Sequence, residues 1–282
     1  MSAPVVSFIN MKGGVGKTTL CVGIAEFLAN YRHKKILLID VDPQLNATQS
    51  IMGKYNRIEE YIDELLPNEK TIRKVFETKK SISTENIKLT PDQVITQLTD
   101  NLDVILGDIS IIFDTDQAPI RIQRIKKFIS DNDIRNKYDY ILIDSPPTIS
   151  IFTDASLIAS DYYLTPIRID YYSILGAANL MKVIEYLKES FDSNIKHLGF
   201  IYTNTHKRQT QKTKKIQKDF ESNPMFIDNY FFSNRLSYLR DLMVGGRGNI
   251  PSSYTKSKID IENICNEFEN RISAIERNND DE

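Results

Sequence analysis

The sequence predicts an α/β protein built on a doubly wound, mostly parallel sheet with helices on both faces. Three observations carry that prediction. Strand-like and helix-like runs alternate along almost the whole chain, which implies strand, crossover helix and strand in repetition. Several strand-like runs, such as Ile141-Leu142-Ile143, are continuously apolar, as strands sandwiched between two helical layers are. The first of them, Val5-Val6-Ser7-Phe8-Ile9, feeds a glycine-rich loop that opens a helix, an arrangement that belongs at the carboxyl edge of such a sheet.

Taken in order, hydrophobic periodicity places strands at 5–10, 35–40, 102–106, 139–144, 162–168 and 197–203. It places helices at 17–31, 118–131, 173–190, 208–221 and about 257–276. Residues 52–100 break the rhythm. They are polar and rich in Lys and Glu, and read as short helices at 57–65, 70–78 and 92–98 around a loop at 79–90. The expectation is a single domain over 1–277 with a helical insertion at about 52–100. The acidic tail at 278–282 is expected to be disordered.

Composition narrows the class. With 282 residues and 41% hydrophobic content the chain can bury a full core as one domain. A net charge of −2 excludes a globally basic nucleic-acid binder and leaves room for a local basic patch. Cys21 and Cys265 stand far apart, and no Cys/His cluster has ligand spacing, so a disulfide framework or structural zinc site is not expected. No run approaches the ~18 apolar residues of a membrane span, and no signal peptide opens the chain. A cytoplasmic protein without a membrane partner is expected.

The loop at 10–19 reads Asn-Met-Lys-Gly-Gly-Val-Gly-Lys-Thr-Thr. Gly13, Gly14 and Gly16 let the backbone curl with its N–H groups turned inward on a phosphate. Val15 and Thr19 complete the cradle, Lys17 reaches the β/γ-phosphates, and Thr18 can hold Mg²⁺. The strict pattern G-x-x-x-x-G-K-[ST] fails at Met11, whereas K-G-G-x-G-K-[ST] is met throughout, with Lys12 as a second lysine. Three carboxylates follow apolar strands: Asp40 and Asp42 after one, Asp144 after another. Ligands in open α/β sheets bind beyond the carboxyl ends of strands, so these acids face the loop.

Residues 206–218 hold six cations, Lys207, Arg208, Lys212, Lys214, Lys215 and Lys218, and no acid. On a helix Arg208, Lys212 and Lys215 align. Such a stripe invites a polyanion, and a merely solvated helix face is the alternative. The stripe has no aromatic residues, which favours phosphate contacts over base stacking.

The variant loop resembles the deviant Walker P-loop of the ParA/MinD ATPases. The likeness extends through Asp40-Val41-Asp42-Pro43-Gln44, Ser145-Pro146-Pro147, and Thr165-Pro166-Ile167 followed by Tyr171. It implies a P-loop NTPase fold, ATP and Mg²⁺ as cofactors, slow ATP hydrolysis, and a homodimer formed with ATP. By resemblance, Lys12 reaches the nucleotide of the other subunit and Asp42 orients the attacking water. Asp144 is the Walker B carboxylate, Asp40 lies near the magnesium, and Asn204 contacts adenine. Two departures stand out: Leu45 where glycine is usual, and Phe232-Ser233-Asn234 where Pro-Arg-Asn is usual.

Within that family the DNA-partition branch fits best. It implies non-specific DNA binding on the nucleoid, stimulation by a centromere-binding, ParB-like protein, and a role in plasmid or chromosome segregation. A MinD-like or other positioning ATPase acting on a protein machine is the alternative. Against the membrane-bound version, the last helix carries Asp260, Glu262, Glu267, Glu269 and Glu276, which anionic lipid would repel.

Overall fold

A computed structural model describes residues 2–77, 88–113, 118–245 and 249–280. Among these residues seven strands form one sheet in the order β3-β4-β2-β5-β1-β6-β7. They are β1 (Val5–Phe8), β2 (Ile36–Asp40), β3 (Ile95–Thr99), β4 (Leu102–Ile105), β5 (Tyr140–Asp144), β6 (Tyr162–Ile167) and β7 (Lys196–Tyr202). All neighbours are parallel except β3, which pairs antiparallel with β4. The helices are α1 (Lys17–Arg32), α2 (Asn46–Lys54), α3 (Ile58–Glu60), α4 (Ile72–Phe76), α5 (Ala118–Arg121) and α6 (Arg124–Asp131), followed by α7 (Ile151–Ala159), α8 (Tyr171–Phe191), α9 (Gln211–Glu221), α10 (Arg240–Val244) and α11 (Thr255–Asp280).

The strands' period of two explains the two helical layers. Ile36 and Leu38 of β2, with Val6, Phe8, Val104 and Leu142, face α1, α2 and α11. Leu37 and Ile39, with Val5, Ile105, Ile141 and Ile143, face α4, α6 and α7. Both sets are buried, which is why these strands read as unbroken apolar runs. Beyond β6, α8 and α9 close the sheet over Tyr163, Phe200 and Tyr202. The edge strand β7 is covered by the chain at 230–238: Phe200 N–H donates to Tyr230 O at 2.8 Å, Phe232 N–H to Phe200 O at 2.8 Å and Leu236 N–H to Tyr202 O at 2.9 Å.

All six expected strands are present. The helix expected at 92–98 is instead a 3₁₀ turn at Pro91–Gln93 followed by β3. Asp100 and Asn101 form the tight turn that returns it to β4, with Thr99 opposite Leu102. The helix expected over 118–131 breaks into α5 and α6, and α2, α7 and α10 were not foreseen. Most of the loop expected at 79–90 lies outside the described residues. The last helix runs to Asp280, into the segment expected to be an unstructured tail.

His197 lies on β7, largely enclosed by its neighbours. Its ring stacks on Tyr163 with centroids 4.5 Å apart. Nδ1 donates to Asn229 Oδ1 at 2.7 Å, and Nε2 accepts from Thr165 Oγ1 at 3.1 Å. Burial pushes its pKa down to about 4, so the neutral ring is the native form. The depressed value means its contribution is present above the ordinary value of 6.5 and is lost as pH falls toward 4. Comparing wild type with His197→Gln cancels other acid-titrating groups. Between pH 7 and 4.5 the urea midpoint of wild type should fall further than that of the variant, by the equivalent of about 2–3 kcal/mol.

Candidate functional site

The site forms at the carboxyl edge where β1 lies between β5 and β6. Past β1, Asn10 is buried and braces the loop from below: its Nδ2 donates to Pro166 O at 2.6 Å and its Oδ1 accepts from Lys12 N–H at 2.8 Å. Gly14 and Gly16 adopt φ of +71° and +81°, left-handed values that L-residues adopt at a cost of about 1–2 kcal/mol. Gly16 caps α1 without a side-chain cap bond among the described residues. The helix's first N–H donors and its positive end are directed at the loop's hollow, a ready phosphate site. The loop is gripped from β7 as well: Thr203 Oγ1 donates to Val15 O, and Asn204 Nδ2 to Gly14 O at 3.4 Å.

Lys17 is buried, and its charge opposes the upward push that burial gives the Asp144 carboxyl. Thr18 Oγ1 donates to Asp144 Oδ2 at 2.7 Å, while Asp144 Oδ1 is buried with no hydrogen-bond partner among the described residues. An orphaned carboxylate oxygen beside a hydroxyl is a hard-oxygen donor set that fits Mg²⁺. Asp40, on the adjacent strand, is also fully buried, and its carboxyl is pushed up by burial and by Asp144. Its oxygens are already committed: Oδ1 accepts from Asp42 N–H at 3.1 Å, and Oδ2 from the N–H and hydroxyl of Thr48 at 2.8 and 2.7 Å. Asp40 therefore anchors the loop that carries Asp42 to the start of α2.

That loop, residues 41–45, is tightly tied. Val41 N–H donates to Asp144 O at 3.0 Å, and Asp42 Oδ1 accepts from Gln44 N–H at 3.0 Å. Leu45 caps α2 with φ of +60°, so the unusual leucine occupies the left-handed conformation that favours glycine. On the opposite side, Ser145 Oγ donates to Phe8 O at 2.6 Å and fixes the start of the Ser145-Pro146-Pro147 segment to β1.

Lys12 is half-exposed. Its Nζ donates to both carboxylate oxygens of Asp170 at 2.7 Å each, and to Ser173 Oγ at 3.3 Å. Burial would raise the Asp170 carboxyl, but the bonds from Lys12 and the Ser173 N–H outweigh it and hold it low. Tyr171, Tyr172 and Leu175 stand exposed on the adjoining first turn of α8. Asn234 is committed elsewhere: its N–H and Nδ2 both donate to Glu267 Oε2, at 2.9 and 2.7 Å.

The basic segment differs from its expected form. Thr210 caps α9 by accepting from Thr213 N–H at 3.1 Å, so the helix begins at Gln211, and Lys207 and Arg208 lie in the loop before it. The i, i+4, i+7 alignment through Arg208 therefore does not exist. Lys212, Lys214, Lys215 and Lys218 are exposed on α9. Lys207, Arg208 and Lys214 instead converge on Arg235 and Lys256, lining a groove with no carboxylate among its described residues. Arg235 and Lys256 were missed because they come from the 230–238 segment and the start of α11, far from the run in sequence.

A phosphate loop with a buried lysine, a hydroxyl–carboxylate pair and a braced acidic loop defines a P-loop nucleotide hydrolase. Residues 3–197 match the family model described as an AAA domain. The chain is 28% identical over 199 residues to the sporulation initiation inhibitor protein Soj of Bacillus subtilis, covering 71% of this chain and 72% of that one. It is 27% identical over 280 residues to the virulence plasmid ParA family protein pGP5-D of Chlamydia psittaci, covering 96% of each. Its fold matches that of a putative plasmid partition protein from Borrelia burgdorferi bound to AMPPNP, with a TM-score of 0.71 and 22% identity over 96% of this chain and 100% of that one. The chain belongs to the ParA/MinD family of P-loop ATPases.

Lys17→Ala removes a buried charge that acts on the Asp144 carboxyl. A hydrogen bond to a charged group is worth about 1.5–3 kcal/mol, so affinity for a fluorescent ATP analogue should fall by roughly ten- to a hundredfold.

Proposed function

We propose that this chain is an ATP-dependent dimerising switch that binds DNA without sequence preference and drives plasmid or chromosome segregation. One observation carries the reading. The six residues Thr203–Arg208 join the two sites: Thr203 and Asn204 hold the carbonyls of Val15 and Gly14, and His206, Lys207 and Arg208 then line the cationic groove. A rearrangement of the phosphate loop on ATP binding has a direct covalent route to the groove.

Phosphoryl transfer to water needs positioning and charge neutralisation more than covalent chemistry. Mg²⁺ would be held by Thr18 and, through water, by Asp144, and would neutralise charge on the β/γ-phosphates. Lys17 binds the same phosphates, Asp42 orients the attacking water, and Asn204 lies where the adenine would pass. Lys12 supplies the second cation from the partner copy. Its present bond to Asp170 joins two half-exposed groups, worth only about 0–1 kcal/mol, so a triphosphate can displace it. The exposed Tyr171, Tyr172 and Leu175 beside it suit a second copy of the chain.

The relatives support the cellular side: their names concern sporulation control, a virulence plasmid and plasmid partition. We read the stimulator as a centromere-binding, ParB-like protein and the location as cytoplasmic, on the nucleoid when ATP is bound. Among the described residues no helix is long and apolar enough to cross a membrane.

The test is retention on non-specific DNA. With Mg²⁺ and ATP the chain should bind a random duplex, and affinity should fall roughly a hundredfold or more between about 50 and 200 mM salt. Arg208→Glu should abolish retention while leaving ATP binding intact. No retention at low salt would remove the DNA reading and favour a positioning ATPase acting on a protein machine.

Lys12→Ala should still bind nucleotide but stay monomeric with ATP, as read by light scattering, and turn over poorly. ATP-dependent dimers hydrolysing at the wild-type rate would show that the cross-subunit role of Lys12 is wrong.

A further inference from the structure

Residues 57–72 carry no motif that sequence reading could use, yet they close around the end of β4. Tyr61 opens a π-helical turn, Tyr61–Leu65, a rare geometry often found at functional sites. Its hydroxyl donates to Gly107 O at 3.0 Å. Thr71 Oγ1 donates to Asp108 Oδ2 at 2.8 Å, and Ile72 N–H to Leu106 O at 2.7 Å. Three consecutive residues, 106–108, are thereby held by the insertion.

The middle one of the three, Gly107, also reaches the segment that follows the aspartate loop. Gly107 N–H donates to Thr48 Oγ1 at 2.7 Å, and the Thr48 hydroxyl donates to Asp40 Oδ2 at 2.7 Å. The other Asp40 oxygen accepts from Asp42 N–H at 3.1 Å. The approach is close enough that a Cβ on residue 107 would lie 2.8 Å from Leu45 Cδ2 and 3.0 Å from Asp40 Oδ2. Hydrogen bonds therefore run without a gap from Tyr61 through Gly107, Thr48 and Asp40 to the backbone of Asp42. The Thr48 hydroxyl has a single proton, and it is committed to Asp40.

We infer that Thr48 and Tyr61 are positioning residues for Asp42, and that the helical insertion is the brace that sets the geometry of the hydrolytic loop. The inference rests on the hydrolytic reading above. Valine at 48 keeps the shape of threonine but leaves the Gly107 N–H buried without an acceptor and Asp40 Oδ2 without its shortest bond. The loop then loses its register, while the phosphate cradle at 13–19, held from Asn10 and β7, is untouched. Turnover should suffer and nucleotide binding should not.

The experiment measures steady-state ATP turnover and equilibrium ATP affinity for the full chain, Thr48→Val, Thr48→Ser, Tyr61→Phe and Asp42→Ala. Thr48→Val should lower kcat about tenfold with the ATP Kd changed less than about twofold. Thr48→Ser, which keeps the hydroxyl, should retain most of the turnover. Tyr61→Phe should lower kcat in the same direction, and the double variant should lose less than the product of the single losses, because both act through one chain of bonds. Wild-type kcat in both Thr48→Val and Tyr61→Phe overturns the inference. So does a loss of affinity in step with kcat, or a serine variant as slow as valine. Should Thr48→Val fail to fold, Tyr61→Phe decides by the same two readouts, since the ring stays in place. If wild type and Asp42→Ala turn over equally, the hydrolytic reading itself falls, and the control pair alone reveals that.

Discussion

Asp40 and Asp144 end neighbouring parallel strands in direct register, and both are wholly buried. Two carboxylates brought together out of water repel each other and lose their hydration, so the fold has to surround them with compensating groups. It does so asymmetrically. Asp40 receives three donors from the start of α2 and the loop before it, whereas Asp144 receives one from Thr18 and keeps a bare oxygen. One acid is thus fully tied into the fold, and the other keeps an oxygen with no partner among the described residues. Lys17, Thr18, Thr48 and the path of residues 41–48 all follow from the need to keep this pair in place.

The parts most legible in the sequence are those buried on both faces or constrained by backbone chemistry. β1, β2 and β5 announced themselves because every residue between two helical layers is apolar, and the loop at 10–19 because only glycines permit its turns. What stayed hidden has physical reasons. β3 is a half-exposed edge strand in polar surroundings, so its alternation is weak. α7 is nearly all buried, which erases helical periodicity. α2 starts from a left-handed leucine with no side-chain cap, so it lacks the usual opening signal. Thr210 did mark the start of α9, but the run of cations across it read as one continuous helix.

The site's charges were found locally and its supports were not. Lys12, Lys17, Asp42 and Asp144 sit in short, recognisable strings. Their partners Asp170, Gly107 and Tyr61 come from separate elements joined only by the fold, as do Arg235 and Lys256 in the cationic groove. Chemistry tends to be written in contiguous motifs because a loop must be built from adjacent residues. Restraint is delivered from a distance, by whichever element happens to pack there.

The two margins of the sheet are treated differently, and the contrast bears on solubility. At one end β7 has its outward hydrogen-bonding groups taken up by the irregular chain at 230–238. At the other, β3 is short, antiparallel and interrupted by a bulge between Gln97 and Thr99. Neither margin offers a long, straight row of free amides on which another chain could extend the sheet. For a protein proposed to crowd along a polymer, that matters more than for a dilute enzyme. Molecules held at high local density would meet edge to edge often, and this architecture leaves such encounters without a template for fibrous growth.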